Sequence, residues 1–387
     1  MVTNRKKKIR KFLVCLESRA SYSYALPLMK LLKKNKKKAI FNTVVTGMHL
    51  EKEFGSTFNF IKKDNINIDY LLKFYKKDWV YSIGKQIIRY SKILLDFKPD
   101  IVLIFGDRVE LVPIAISSSY KDIPVAHIQA GDKSGHIDDM TRMMLSKICH
   151  IHLASSKQSQ KRLIKLGEQK FRIFNVGAPQ LDDIHYTKLI KTKKIILNDK
   201  IFELKKEKYL ILIQHPVFSD RKNYYKKFIK TLKACLSFDL KLIIIYPNYD
   251  PGYEKIIQII ESLKNKDEII VLKNLERQTF LKLMVNTQCL VGNSSCGILE
   301  APTLKIGVVN VGDRQEGRER NVNIIDANYS TSDIKKKIKK ILTSKKFLLK
   351  IKNTKNFYGD GKSTRRIFDK ILAIKLGKKL NYKKTTY

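Results

Sequence analysis

The sequence predicts an α/β protein made of two doubly wound domains that face each other across a cleft. Three observations predict it. Short runs rich in Val, Ile and Leu alternate with helix-length segments, as parallel sheets covered by helices require. The alternation falls into two blocks separated by a Lys-rich stretch at 188–208. The 387 residues, 43% hydrophobic and 10% aromatic, supply enough apolar surface for two cores and exclude a chain disordered by composition.

In the first block, residues 9–19 read as a buried strand running into a polar turn. Residues 24–34 have helical spacing, and 39–47 form a second strand ending at Gly47. Residues 100–108 are a strand followed by a tight turn. A helix over 109–120 carries Pro113 in its first turn, where a missing N–H breaks no bond. Strand 123–131, helix 137–148, strand 150–156, helix 158–167 closed by Gly167, and strand 171–177 follow. In the second block 209–216 is a strand ending in His215-Pro216, and 240–248 and 268–274 are further strands. Residues 289–302 read as strand, loop and helix start, and 306–314 as one more strand and turn. The expected domains are 1–187 and 188–350. A helical segment at 351–378 is expected to pack back on the first domain. A basic tail at 379–387, within the terminal GKKLNYKKTTY, is expected to fray.

Composition narrows the function. No run of 18 apolar residues exists, so no membrane span is expected. The apolar run before Glu17 has five residues, too short for a secretion signal, which predicts a cytoplasmic protein. Five cysteines, Cys15, Cys149, Cys235, Cys289 and Cys296, form no C-x-x-C pair, which argues against a disulfide framework or a zinc knuckle. The net charge of +42 suits nucleic acid, but Arg supplies only 15 of the 78 bases, the lysines are spread along the whole chain, and no nucleic-acid motif accompanies them. The basic field instead suits an anionic small substrate.

Ligands of doubly wound sheets sit at the carboxyl ends of strands. Arg19, Gly47-Met48-His49, Gly106-Asp107-Arg108 and Gln129 to Asp132 all fall there, which groups them at one cleft. In GNSSCGILEAP (292–302) small residues open a helix, so its N–H groups with Ser294 and Ser295 can hold a phosphate. Glu300 lies farther along, where it can take two ribose hydroxyls. The plain alternative is a strand–helix turn with a Ser cap. Asp107 is either catalytic, a helix cap or the partner of Arg108. His215 either serves a leaving phosphate or is a simple surface donor. The stretch 126–152 gathers Asp132, Asp138 and Asp139 with His127, His136, His150 and His152. These are metal-like ingredients, but most of the histidines lie on buried strands, where neighbours point to opposite faces. Structural imidazoles are expected there, and no metal; Met143, Met144 and Leu145 are expected to be core.

Taken together the motifs resemble the UDP-N-acetylglucosamine 2-epimerase family, in particular its hydrolysing branch. They are ESRASY, VVTGMHL, IFGDRVE, AHIQAGDKSGHIDDMTR, NVGAPQLDDI, QHPV, VGNSSCGILEAP, VNVGDRQEGRER and YGDGKSTRRI, and they run in order from Glu17 to Ile367. The resemblance implies two Rossmann-like domains of the GT-B type, with UDP held by the second and reaction in the cleft. It implies Ser294, Ser295, Gly297 and Glu300 for diphosphate and ribose. Arg19, His49, Gln129, Arg314 and Arg318 become further substrate contacts, and Asp107, Asp132, Asp139, Arg142 and His215 the reaction centre. The implied reaction eliminates UDP from a UDP-N-acetylhexosamine and adds water with inversion at C2, giving a free N-acetylmannosamine-type sugar. It needs no cofactor, and the expected assembly is a dimer or tetramer. The alternatives are a glycosyltransferase of the same fold, a non-hydrolysing epimerase or a non-catalytic nucleotide-sugar binder. The chain departs from the family at Ser21, where an acid is usual, at Gln129 and Asp132, where Glu is common, and at Met143, where His is usual. Such departures fit an altered sugar, such as a 4-acetamido-6-deoxy derivative, or reduced activity.

Overall fold

The computed structural model describes residues 9–75, 77–133, 137–184 and 186–386. Among them, β1 (Arg10–Leu16), β2 (Ala39–Thr46), β3 (Tyr70–Leu72), β4 (Ile101–Phe105), β5 (Val125–Ala130), β6 (Ile151–Ala154) and β7 (Ile173–Asn175) make one sheet. A hairpin follows, β8 (Lys194–Leu197) with β9 (Lys200–Glu203). The second sheet holds β10 (Tyr209–Ile213), β11 (Lys241–Ile245), β12 (Ile269–Leu272), β13 (Cys289–Gly292), β14 (Val308–Val311) and β15 (Ile324–Ala327). The sheet orders are β3-β2-β1-β4-β5-β6-β7 and β12-β11-β10-β13-β14-β15, with parallel pairing throughout both. The architecture is GT-B-like.

Each sheet is covered on both faces because its central strands, such as β4 and β10, bury every side chain. Along β1, Phe12, Val14 and Leu16 enter the core shared with helix Arg19–Lys34, while Leu13 and Cys15 enter the one shared with helix Trp79–Phe97. β10 divides likewise, Leu210 and Leu212 against Tyr209, Ile211 and Ile213. Helix Ser363–Ala373 returns to the first sheet and packs Ile367, Phe368 and Ile371 into its core. The domains also interlock. Met48 and Phe54, from the loop after β2, lie in the second domain's core, with the Phe54 and Tyr253 rings 5.5 Å apart.

Several details differ from the sequence reading. The first helix starts at Arg19, because Ser18 and Ser21 form a reciprocal cap in which each hydroxyl accepts from the other's backbone N–H. The Lys-rich stretch contains the β8–β9 hairpin, with Ile195, Leu197 and Phe202 buried. Met143 and Met144 are exposed, at 54% and 44%; only Leu145 of that trio is core. Helical periodicity turns Thr141, Arg142, Leu145 and Ser146 inward and leaves the methionines on the opposite face. The basic tail is packed rather than frayed. Residues Lys378–Asn381 form a helical turn, Leu380 is buried, and the Arg172 guanidinium donates to the carbonyls of Lys379, Leu380 and Tyr382.

Candidate active site

Both sheets have a topological switch point, between β1 and β4 and between β10 and β13, where the strand order reverses. Loops diverge there, and a ligand fits between them. A cavity of about 400 Å³ occupies this space. Arg19, His49, His215, Ser294, Ser295 and Glu300 all line it, with Arg277 and Phe280 beside them. Arg19 reaches across the cleft to the carbonyls of Tyr246 at 3.0 Å and Lys273 at 3.1 Å. Glu300 accepts from Arg277 at 2.8 Å, and Arg277 is also paired with Asp183.

His215 is held on two sides. Its N–H donates to Asn293 Oδ1 at 2.7 Å, and its Nδ1 accepts from the Asn248 N–H at 3.0 Å. That bond leaves the ring proton on Nε2. Burial, then the Arg314 charge, hold the imidazole well below its ordinary value. His215 is therefore a neutral donor, not a cation, when it meets a phosphate oxygen.

The acids gather at the end of the first sheet. Gly106, at φ +85°, turns the chain sharply after β4, and the His127 ring holds that turn at 2.5 Å from the Gly106 carbonyl. Asp107 comes next and is ion-paired with Arg142 of helix Ile137–Ile148. Asp138 and Asp139 are half-buried in the first turn of that helix. Arg314 lies 3.8 Å from Asp138, and Asp139 contributes to the field at Arg318. Arg142 is buried, and its Nε and Nη1 have no hydrogen-bond partner among the described residues. Arg318 Nε and Arg314 Nε are likewise buried and unbonded. Burial, then the Arg318 charge, disfavour the charged form of Arg142. An anion entering here would relieve both the repulsion and the unbonded donors.

Four sequence candidates sit differently from expectation. Both oxygens of Asp132 are engaged: Oδ1 accepts from Ser155 and from Ser159 at 2.6 Å, and Oδ2 pairs with Arg318 at 3.3 Å. In this arrangement Asp132 anchors Arg318; like Asp107, Asp139, Arg142, Arg314 and Arg318, it is not among the residues lining the cavity. Gln129 sits at a bulge with φ +63°, and its amide donates to Gln180 at 3.0 Å rather than facing the cavity. Gly297 lies under its helix: a Cβ there would come within 2.9 Å of Val308 Cγ1. Its bareness serves helix–sheet packing, not substrate approach. Met143 faces away from the site. His127, His150 and His152 are buried, each with a ring nitrogen bonded within the protein. His136, with Ser134 and Gly135, lies outside the described residues.

The sequence reading missed a bridging network. Although burial opposes it, the Arg108 and Arg314 charges draw Asp250 down to about 2. Arg108 Nη1 lies 2.7 Å from Asp250, Arg108 Nε pairs with Glu110 at 3.3 Å, and Tyr249 donates to Glu110. Asn293 holds His215 and accepts from Arg314 and Gln315. Position after strands was a usable signal for Asp250 and Asn293; nothing local marked Arg277.

Comparison with known proteins agrees with this geometry. The family model described as UDP-N-acetylglucosamine 2-epimerase matches residues 32–372. A UDP-N,N'-diacetylbacillosamine 2-epimerase (hydrolyzing) from Legionella pneumophila is 32% identical over 384 residues, 98% of this chain and 100% of that protein. A GDP/UDP-N,N'-diacetylbacillosamine 2-epimerase (hydrolyzing) from Campylobacter jejuni is 35% identical over 309 residues, 77% of this chain and 79% of that one. The structure of a Neisseria meningitidis UDP-GlcNAc 2-epimerase bound to UDP-GlcNAc superposes with a TM-score of 0.78 at 19% identity, covering 94% and 99% of the two chains.

Proposed function

The chain belongs to the UDP-N-acetylglucosamine 2-epimerase family, and on that premise we propose that it is a hydrolysing 2-epimerase of a UDP-linked N-acetylated amino sugar. UDP-N,N'-diacetylbacillosamine is the substrate we favour, because the Legionella and Campylobacter relatives carry that name. The observation that carries the reading is the cavity lined by Arg19, His49, His215, Ser294, Ser295 and Glu300, together with the buried Arg142, which is paired with Asp107 and has two donors without a partner among the described residues.

The chemistry follows from the groups present. The sugar C2–H is only weakly acidic, so its removal must be coupled to departure of UDP. The C1–O bond breaks with its electron pair leaving on the diphosphate. A carboxylate, Asp107 or Asp139, takes the C2 proton, and a glycal forms. Neutral His215 Nε2–H, Arg142 and Arg318 stabilise the leaving oxygens. Ser294 and Ser295 hold the phosphates, Glu300 the ribose. Water then adds at C1 while C2 takes a proton on the opposite face, releasing UDP and a free sugar. We further propose that the enzyme self-associates through the exposed apolar side chains Val80, Ile88, Met140 and Met143.

The test is incubation with UDP-GlcNAc and UDP-N,N'-diacetylbacillosamine in D2O without an acceptor. The expected result is UDP release with a free, C2-inverted sugar carrying deuterium at C2. Asp107→Asn should abolish it while UDP binding stays within about fivefold. A UDP-linked inverted sugar as product indicates the non-hydrolysing reaction instead. Absence of UDP release from every UDP-sugar tried would sink the reading.

A further inference from the structure

We propose that the segment after the last long helix, residues 377–383, positions the helix that carries Asp138, Asp139 and Arg142, with Lys383 as its anchor. This rests on the functional reading above for its effect on turnover. Helix Ile137–Ile148 connects the parallel strands β5 and β6, so it runs from the carboxyl end of the first sheet back to its amino end. Its last carbonyls have no partners within the helix. Lys383 Nζ bonds two of them, at 2.8 Å from Ser146 O and 2.8 Å from Lys147 O, and also lies 2.7 Å from Cys149 O, while the Ser119 hydroxyl donates to Ile148 O at 3.1 Å. The same ammonium lies 2.6 Å from Glu168, which also meets His152 at 3.0 Å. A cation at this end complements the helix dipole.

The segment itself is fixed, because Arg172 grips its carbonyls and Leu380 is buried. The outer face of helix 137–148 is open, with Met140 68% exposed, so Leu145 packs it on one face only and the polar contacts at its two ends add the remaining restraint on its axial position. One end meets Asp107, Arg314 and Arg318 through its own charged side chains. The other end meets Lys383, about 13 Å away along the axis. Ser146 links the two, its hydroxyl donating to the Arg142 carbonyl at 2.8 Å. A shift at the Lys383 end therefore moves the acids relative to Asp107, and reaction geometry tolerates little displacement.

The experiment compares wild type, Lys383→Ala, Lys383→Arg and Arg172→Ala, each checked as folded at the assay temperature. Lys383→Ala is expected to lower kcat at least about 10-fold with UDP Kd unchanged, since UDP is assigned to the other domain, and Lys383→Arg to recover part of it. Arg172→Ala should act the same way. A folded Lys383→Ala variant with kcat within about twofold of wild type overturns the proposal, as does a parallel loss of UDP binding. Hydrogen exchange keeps the test separate from the functional reading. If wild type turns over no UDP-sugar, faster exchange along the whole of helix 137–148 in Lys383→Ala sustains the positioning role. Faster exchange confined to the last turn rejects it.

Discussion

Glu17→Gln should stabilise this protein and remove part of its loss of stability with rising pH. Glu17 follows β1 at the switch point and is 1% exposed. Its Oε1 accepts from the Ser18 hydroxyl at 3.3 Å, while Oε2 has no partner among the described residues. Burial, then the like charge of Glu110, push its carboxyl up from an ordinary 4.5 to about 8. The folded state thus holds a proton that the unfolded state has lost, so stability falls as pH rises through the window from 4.5 to about 8. At 1.36 kcal/mol per pH unit, keeping that proton costs about 3 kcal/mol at pH 7 and about 5 kcal/mol above pH 8. Gln mimics the protonated carboxyl and keeps the acceptor for Ser18. Urea titrations of both proteins from about pH 5 to about pH 9 should show the variant ahead by about 2–3 kcal/mol at neutrality, with the gap widening upward. Parallel curves within about 1 kcal/mol would mean that Glu17 is not held protonated and would refute the reasoning.

The acid side should show the opposite slope. Burial lowers His49 to about 3 and His127, His150 and His152 to about 4, from 6.5. Unfolding below 6.5 therefore takes up protons, and stability should fall as pH drops through that window, by about 1.4 kcal/mol per pH unit for each imidazole. Flat urea midpoints between pH 6.5 and 4.5 would contradict this, and His127→Asn should reduce the slope by one imidazole's share. Gly297→Ala should destabilise by about 1–3 kcal/mol, from the contact with Val308, without changing UDP affinity per folded molecule. A calorimetric Kd that weakens more than about tenfold would return Gly297 to the binding surface.

Most of the fold was legible because buried parallel strands announce themselves as unbroken apolar runs, as β4 does with Ile101–Phe105. Short edge strands such as β3 and β15 carry no such signal, because they are three or four residues long and only partly buried. Of the candidates that backbone position places after strands, His215 after β10 and Ser294 and Ser295 after β13 line the cavity, while Asp107 after β4 pairs with Arg142 outside its lining. The errors concern side-chain direction. Gln129 was misread because a left-handed residue inside a bulge turns its side chain off the strand's alternation. For Gly297 the structure shows a packing need, against Val308, that a sequence does not distinguish from a need to approach a ligand. The packed segment 377–383 was invisible for a different reason: its lysines look solvated until the buried acceptors that hold them, around Glu168 and Ser146, are known from the fold.

The pairing pattern at the cleft links closure to site formation. The acids Asp107, Asp132, Asp138 and Asp139 all belong to the first sheet's edge, whereas Arg314 and Arg318 belong to the second. Arg318 meets Asp132 across the cleft, Arg314 meets Asp138, and Arg108 meets Asp250 in the reverse direction. A buried charge without its partner is costly. Opening the cleft exposes these groups to water, while closing it removes them from water and pairs them in the same motion. Among the described residues, Arg314 Nε and Arg318 Nε are buried without a hydrogen-bond partner. A diphosphate filling those donors would favour the closed arrangement by its differential contacts alone. Proton abstraction at C2 would then proceed only in the arrangement where the leaving group is already held.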